Sequence, residues 1–221
     1  MKQILCYGDS NTWGNIAGTF DPKRIIHGRY EWGVRWTSIL QELLGSDYHV
    51  IEAGLNGRTT DLDETHVHRP SRNGLATLPG IMDMHYPLDW VILMLGTNDL
   101  KIQFKSSAEW IVSRLRQLIE TIRNSPFGRK DTAPKVLLMA PAPIFRPDGS
   151  TFDLFFDQDS IEKSHCLAMA YQKLSEELGC DFLDLGPLVT IDPKDGLHLD
   201  QKSQRVLALE IVKKIIGADQ Y

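Results

Sequence analysis

Residues 3–12 read QILCYGDSNT, a short apolar run that passes directly into small and polar residues. The run does not alternate between apolar and polar side chains, which is typical of a strand buried on both faces of a parallel sheet. Four further runs have the same character, and they lie at residues 49–53, 90–95, 135–140 and 181–185. The sequence therefore predicts five buried strands.

Stretches with helical periodicity lie between these runs and after the last one. In the first stretch, residues 34–44, five apolar side chains share one helical face and Gly45 follows as a stop signal. These side chains are Trp36, Ile39, Leu40, Leu43 and Leu44. Further amphipathic helices are predicted at residues 110–122, 166–178 and 201–216.

The alternation of strands and helices predicts an α/β fold, a three-layer α/β/α sandwich around a central five-stranded parallel sheet. We find no repeat, linker or low-complexity tract, so residues 1–221 are expected to form a single domain. Functional residues in such sheets lie in loops at the carboxyl ends of the strands. Three long connections, at 13–33, 58–79 and 141–159, are therefore candidates to carry function.

The charge, apolar runs and cysteines of the chain indicate which classes of binding partner and which cellular location to expect. The chain has 24 Lys and Arg against 29 Asp and Glu, a net charge of -5, and its basic residues are scattered, so nucleic acid is not an expected partner. The apolar run near the N-terminus is too short for a membrane span or a secretory signal, so no membrane partner is expected. Three cysteines without CxxC spacing favour a reducing, cytoplasmic location.

Polar residues with catalytic potential follow three of the predicted strands. Ser10 follows the first strand and would lie at the start of a helix, where free backbone N–H groups are available. Asn98 follows the third strand, and its side-chain amide is a neutral donor suited to an oxyanion. Asp195 and His198 follow the fifth, spaced so that the carboxylate can accept a hydrogen bond from the imidazole.

Each of these residues also has an ordinary structural explanation, as a helix cap, an Asx turn or a solvated loop histidine. Their coincidence at the carboxyl ends of strands in one sheet is what indicates a site. A serine needs a base to take its proton, and the base works best when a third group fixes its tautomer. The pattern predicts Ser10 as nucleophile, His198 as base and Asp195 as the orienting carboxylate.

The order of these motifs resembles that of the SGNH, or GDSL-like, hydrolases over nearly the whole chain. The matching blocks are Gly8-Asp9-Ser10, Gly57 within GLNGRTT at 54–60, Gly96-Thr97-Asn98-Asp99, and Asp195-x-x-His198. The GxSxG elbow of α/β-hydrolases is not met, because Thr12 stands in place of its second glycine. Asn11 departs from the leucine usual in the family's first block, a position that we expect to tolerate change.

The resemblance is strongest to bacterial arylesterase-type members, on the stretches GDSNTWG at 8–14, VRWT at 34–37 and RTT at 58–60. It implies a flavodoxin-like SGNH fold and a serine esterase acting on a small-molecule ester of a short-chain acid, with acyltransfer or perhydrolysis as side activities. It implies an oxyanion hole from the backbone N–H groups of Ser10 and Gly57 and the Asn98 side chain. It also implies a homo-oligomer and no cofactor.

Aromatic residues in the long loops are candidates for the substrate pocket, namely Trp13, Phe152, Phe155 and Phe156. His66 and His68 lie near Asp61 and Asp63 in sequence, which raises the question of a metal site. A polar loop explains them more simply, and we predict no metal. With a histidine base, activity is expected to fall below about pH 6.5, where a free imidazole becomes protonated.

Two alternatives remain open at this stage. One is a carbohydrate O-acetyl esterase with the same catalytic residues and a more polar pocket. The other is a flavodoxin-like binding module without turnover, although neither GxGxxG nor GxxxxGK[ST] occurs in the chain. Acetyl esters of phenols and of sugars would separate the two esterases, and a binding module would hydrolyse neither.

Overall fold

The computed structural model describes residues 1–21, 28–64, 70–148 and 151–219. Five parallel strands form the central sheet: β1 (Lys2–Gly8), β2 (Tyr48–Gly54), β3 (Trp90–Met94), β4 (Lys135–Ala140) and β5 (Asp181–Asp184). Their order across the sheet is β2-β1-β3-β4-β5. The five predicted strands are confirmed, with ends that shift by at most one residue from the sequence-based bounds.

Helices cover both faces of the sheet. They are α1 (Ser10–Trp13), α2 (Trp36–Leu44), α3 (Gly74–His85), α4 (Ala108–Arg123), α5 (Gln158–Leu178) and α6 (Gln201–Asp219). One face of the sheet packs against α3, α4 and α5, and the opposite face packs against α2 and α6. The predicted three-layer α/β/α architecture is confirmed.

Side chains on each strand alternate between two apolar cores. On β1, Leu5 and Tyr7 pack in the core under α3, α4 and α5, whereas Ile4 and Cys6 pack in the core under α2 and α6. All four side chains are fully buried. Burial on both faces explains why the strand sequences are continuously apolar instead of alternating.

One helix was missed by the sequence analysis. Residues 58–79 were predicted to form a long loop, but α3 begins within that range and continues to His85. Its sequence contains Pro79 in the helix interior, and few of its side chains are buried, so the apolar periodicity is weak. Asn73 caps the helix by accepting a hydrogen bond from the Ala76 N–H at 2.9 Å.

Two smaller corrections concern helices that were predicted. Leu43 was placed on the buried face of α2, but its side chain is 36% exposed, because that face is centred on Trp36 and Leu40. Helix α5 begins eight residues before the predicted start at residue 166. Its first turn is fixed by a capping box between Asp157 and Ser160, a polar signal that apolar periodicity does not detect.

The topology creates a crevice between β1 and β3. From β1 the chain continues to α2 on one face of the sheet, whereas from β3 it continues to α4 on the other face. Connections that diverge in this way leave an opening at the carboxyl ends of the two neighbouring strands, where α/β proteins bind ligands. Ser10 follows β1 and Asn98 follows β3 at this opening.

Candidate active site

Ser10 is the first residue of α1, directly beyond β1. The Asp9 side chain caps this short helix by accepting a hydrogen bond from the Asn11 N–H at 2.9 Å. Gly8 is required at the end of the strand, because a Cβ there would lie 2.0 Å from Thr12 Oγ1 and 2.8 Å from the Met94 carbonyl oxygen. The tight turn holds the Ser10 hydroxyl at the sheet edge.

His198 and Asp195 lie in the loop between β5 and α6, and the structure brings both to Ser10. His198 Nε2 lies 2.9 Å from Ser10 Oγ, across 188 residues of sequence. Its other ring nitrogen, Nδ1, lies 2.7 Å from Asp195 Oδ2. The three predicted side chains thus form a continuous hydrogen-bonded series from carboxylate to hydroxyl.

Backbone N–H groups hold the Asp195 carboxylate in place. Oδ1 accepts from the N–H groups of Leu197 and His198, each at 3.0 Å, and Oδ2 accepts from the Gly18 N–H at 3.0 Å. Burial raises the pKa of Asp195, but these bonds and the neighbouring His198 outweigh burial and lower it to about 2. Asp195 is therefore ionised at neutral pH and can stabilise an imidazolium.

The three predicted oxyanion donors face one cavity. Ser10, Gly57 and Asn98 all line it, beside His198. Gly57 has φ +80, a backbone conformation that favours glycine. Asn98 Nδ2 donates to the Arg58 carbonyl oxygen at 3.1 Å and to Asp9 Oδ2 at 3.4 Å. These two bonds orient the amide.

Two fully buried carboxyl groups flank the site. Burial raises the pKa of Asp9 to about 6, although the Asn11 N–H and the charges of His198 and Arg58 oppose the rise. Burial also raises the pKa of Asp99 to about 7, against hydrogen bonds from the Thr60 hydroxyl and N–H. Each of these acids therefore gains a proton within the physiological range.

Arg58 links the strand ends beneath the site. One guanidinium nitrogen donates to the carbonyl oxygens of Gly8, at 2.7 Å, and Ala53. The guanidinium carbon also lies 4.0 Å from the centre of the Tyr7 ring. The role of Arg58 could not be predicted from local sequence, because its partners are backbone atoms of two different strands.

The cavity has a volume of about 290 Å³ and an aromatic wall. Phe152, Phe155 and Phe156, which the sequence offers as pocket candidates, line it. Phe20 joins them, its ring centroid 5.8 Å from that of Phe155. The structure departs from the prediction at Trp13, which is not among the lining residues. Its ring centre lies 5.0 Å from the Arg29 guanidinium carbon, at the last residue of α1.

The cavity also has a charged side that sequence analysis missed. Lys101 Nζ lies 2.6 Å from Glu64 Oε2, and both side chains are about 10% exposed. Gln103 donates to the other Glu64 oxygen at 3.0 Å, and Arg72 lies nearby in the lining. No local pattern could have revealed this pair, because its two members are 37 residues apart.

His66 and His68, the histidines considered for a metal, lie outside the described residues. Within the described ranges, no group of three or more His, Cys, Asp or Glu side chains could hold a metal ion. Across the same parts of the chain, no helix is long and apolar enough to cross a membrane.

A serine, an imidazole and a carboxylate joined in series beside a cavity are the arrangement that serine hydrolases share. The family model of the GDSL-like lipase/acylhydrolase family matches residues 6–206. The chain belongs to this family.

Solved structures of similar proteins carry the same fold along the whole chain. The aryl esterase of M. smegmatis superposes with a TM-score of 0.89 at 33% identity, covering 98% of this chain and 99% of that one. A carbohydrate acetylesterase family member from Sinorhizobium meliloti superposes with a TM-score of 0.85 at 37% identity, covering 98% and 100%.

Among curated proteins, the chain is similar to an acetylxylan esterase of Xylanibacter ruminicola. The two are 27% identical over 193 residues, which covers 80% of this chain and 37% of that protein. The chain spans less than half the length of the curated relatives that it matches.

Proposed function

We propose that this protein is a carboxylic ester hydrolase, a serine esterase that cleaves short-chain aryl or alkyl esters through an acyl-enzyme. The observation that carries the proposal is the hydrogen-bonded series Asp195–His198–Ser10 at the wall of the cavity. Membership of the family and the likeness to proteins named as esterases support it.

In the acylation step, Ser10 Oγ attacks the ester carbonyl carbon while His198 Nε2 takes the hydroxyl proton. The carbonyl oxygen becomes an oxyanion, which the N–H groups of Ser10 and Gly57 and the Asn98 amide receive. Collapse of this intermediate breaks the bond to the alcohol oxygen. The imidazolium returns its proton to that oxygen, and the ionised Asp195 stabilises the imidazolium until then.

In the deacylation step, water attacks the acyl-enzyme while His198 again takes a proton, and the products are a carboxylic acid and free Ser10. An alcohol in place of water would give a new ester, and hydrogen peroxide would give a peracid. We include this acyltransfer in the proposal. Its support is the sequence likeness to arylesterase-type members and the partly apolar cavity, which favours organic acceptors over water.

The cavity favours small substrates. Its volume of about 290 Å³ lies at the lower limit of small-molecule sites. The rings of Phe152 and Phe155 offer an apolar wall for an acyl chain or an aromatic alcohol. Acetates and propionates are therefore expected to be cleaved faster than esters of longer acids.

A carbohydrate acetate is the second candidate substrate, and one observation favours it. Glu64, Arg72 and Lys101 place charged groups in the cavity lining, and Lys101 Nζ lies 5.7 Å from the centre of the Phe155 ring. A sugar ring presents both an apolar face and hydroxyl groups, so a cavity with both kinds of wall suits it. Comparing kcat/KM for phenyl acetate and for an acetylated xylose separates the two substrates.

We also propose that the protein forms a homo-oligomer in the cytoplasm, with residues 1–221 acting as one domain. The oligomer is implied by the likeness to arylesterase-type members. Three free cysteines, of which Cys166 is exposed, favour a reducing compartment. Light scattering coupled to size exclusion measures the oligomer number directly.

The experiment that tests the function combines a fluorophosphonate probe with hydrolysis of p-nitrophenyl acetate, on the wild type and on Ser10→Ala. We expect one adduct by intact mass and ester turnover in the wild type, and neither in the variant. Adduct formation at another residue would overturn the assignment of Ser10. A wild type that is neither labelled nor active would favour a binding module.

A further inference from the structure

Asn11 joins the helix that carries Ser10 to the loop that carries His198. Its side-chain Nδ2 donates to the Leu197 carbonyl oxygen at 3.2 Å. Its Oδ1 accepts from the Leu199 N–H at 3.0 Å. The amide therefore binds the residues immediately before and after His198, 186 and 188 residues away in sequence.

The Asn11 backbone is itself fixed on both sides. Its N–H donates to Asp9 Oδ1 at 2.9 Å, and its carbonyl oxygen accepts from the indole N–H of Trp36 at 3.0 Å. Trp36 is fully buried, and its own N–H donates to Gln204 Oε1 on α6. Hydrogen bonds thus hold the Asn11 backbone at both its N–H and its carbonyl group, and only 8% of the residue is exposed.

The two bonds require an amide. A carbonyl oxygen needs a donor and an N–H needs an acceptor, and asparagine supplies both from one short side chain. Leucine, the usual residue in the family's first block, supplies neither and would leave both backbone groups without this partner. An aspartate would accept from Leu199, but when ionised it cannot donate to Leu197.

We propose that Asn11 is a positioning residue that sets the separation between Ser10 Oγ and His198 Nε2. It acts through the backbone on each side of the imidazole. Asn11 also lines the cavity, but its side-chain amide bonds to the backbone of Leu197 and Leu199. The inference rests on the proposed function, since it assigns a role in activating Ser10. It revises the expectation that this position tolerates change.

The test uses Asn11→Leu and Asn11→Ala, with Asn73→Ala as a matched control. Asn73 is buried to a similar degree and also makes two side-chain bonds, accepting from Ala76 N–H and donating to Asp61 Oδ1. It caps α3 and lies outside the catalytic series. All three variants are compared with the wild type by Tm, by kcat and KM on p-nitrophenyl acetate, and by the rate of fluorophosphonate labelling.

Misplacing a base by about 1 Å can cost ~10²-fold in rate, so we expect kcat and the labelling rate to fall about 10- to 100-fold in both Asn11 variants. KM should stay within about twofold, because substrate binding is not the property that is lost. Asn73→Ala should lower Tm to a comparable degree while retaining the wild-type kcat and labelling rate.

Asn11 variants with wild-type kcat and labelling rates would overturn the inference while leaving the esterase proposal intact. An Asn73→Ala variant that loses kcat in proportion to its Tm would also overturn it, since general destabilisation would then explain the effect. A wild type that is inert and unlabelled would overturn both proposals. If Asn11→Ala does not fold, Asn11→Leu still decides the matter, because leucine keeps four side-chain heavy atoms branched at Cγ and leaves no cavity.

Discussion

Asn98 offers the most direct test of the oxyanion site. Asn98 lines the cavity, and its amide donates to the Arg58 carbonyl oxygen at 3.1 Å and, over the longer distance of 3.4 Å, to Asp9 Oδ2. Losing one oxyanion donor typically costs ~10²–10³ in turnover, so Asn98→Ala should lower kcat by that factor with little change in KM. Circular dichroism and Tm should show a folded protein.

A control for that substitution is Asn124→Ala, which removes a polar side chain at the C-terminal end of α4, away from the cavity. It should retain full activity. An Asn98→Ala variant with kcat within tenfold of the wild type would exclude the Asn98 amide as a main oxyanion donor.

The Asp195 carboxylate is expected to act by fixing the imidazole tautomer. In Asp195→Asn the side-chain oxygen can still accept the Leu197 and His198 N–H groups, but the new amide would donate to Nδ1. Nε2 would then carry the proton and could not accept that of Ser10, and kcat should fall about 10⁴-fold. Stopped-flow or long-time assays with p-nitrophenyl acetate measure the residual rate.

Because its pKa is lowered to about 2, Asp195 loses its ionised form only in strong acid. The orienting carboxylate therefore stays charged between pH 5 and pH 8, and its own titration does not change activity over that range. A loss of less than tenfold in Asp195→Asn would argue against the orienting role.

Residues of the site differ in how well the sequence could predict them. Ser10, Asp195 and His198 lie after predicted strands. Because parallel strands have their carboxyl ends at one edge of the sheet, the sequence was enough to predict that these side chains lie close together. Asn11 and Lys101 have partners that depend on how distant loops fold, and no local pattern encodes such pairs. Their roles could be recognised only from the contacts.

At the scale of elements, the loop between β5 and α6 is held by close backbone contacts. Gly196 has φ +68, and a Cβ there would lie 1.9 Å from the Phe145 carbonyl oxygen. The Phe145 N–H in turn donates to the Gly196 carbonyl oxygen at 3.1 Å. The loop that positions Asp195 and His198 is thus packed directly against the segment following β4.

Gly196→Ala should therefore displace this loop. We expect a loss of about 1–3 kcal/mol in unfolding free energy, because both the positive φ and the backbone contact resist a side chain. Activity should fall further than stability alone explains, since His198 moves relative to Ser10. Gly217→Ala, where a Cβ would meet nothing within 4 Å, is the matched control and should behave as the wild type.

Urea unfolding and kcat measured on the same samples test this prediction. A Gly196→Ala variant with wild-type stability and activity would show that the loop adapts and that its conformation is not tightly constrained.

Elements with a clear apolar pattern could be predicted from the sequence. Elements that depend on helix caps and on tertiary packing could not. The five strands follow from continuous apolar runs, because both of their faces are buried, and α2, α4 and α6 follow from an apolar face that repeats regularly. Helix α3 depends on its Asn73 cap and on tertiary packing around Leu78 and Met82, so its sequence alone resembles a loop. The first eight residues of α5 were missed for a similar reason.

At the scale of the whole molecule, the two buried acids make stability depend on pH. The folded pKa values of Asp9 and Asp99 are raised to about 6 and about 7, above the ordinary value of 3.8. Between about pH 4 and pH 7 these two side chains therefore bind more protons in the folded state than in the unfolded state. The contribution of Asp9 and Asp99 to the free energy of unfolding is therefore greatest at low pH and falls as the pH rises from about 4 to about 7.

Unfolding free energy should accordingly be lower at pH 7.5 than at pH 5.5, by on the order of 1 kcal/mol or more. Asp99→Asn should reduce this difference, because an amide can still accept the Thr60 hydrogen bonds but does not ionise. Urea titrations at the two pH values measure both quantities. Equal pH dependence in the wild type and in Asp99→Asn would contradict the assignment.

A change from pH 7.5 to pH 5.5, which should raise the free energy of unfolding, should lower the esterase activity. A histidine base acts only as the neutral imidazole, so activity is expected to fall in acid. The same acid neutralises Asp9 and Asp99 and raises the free energy of unfolding. A sample at pH 5.5 should therefore be less active and more resistant to urea than one at pH 7.5, and should recover full activity when returned to pH 7.5. Irreversible loss at pH 5.5, or parallel loss of activity and stability, would mean that acid inactivates the protein by unfolding it.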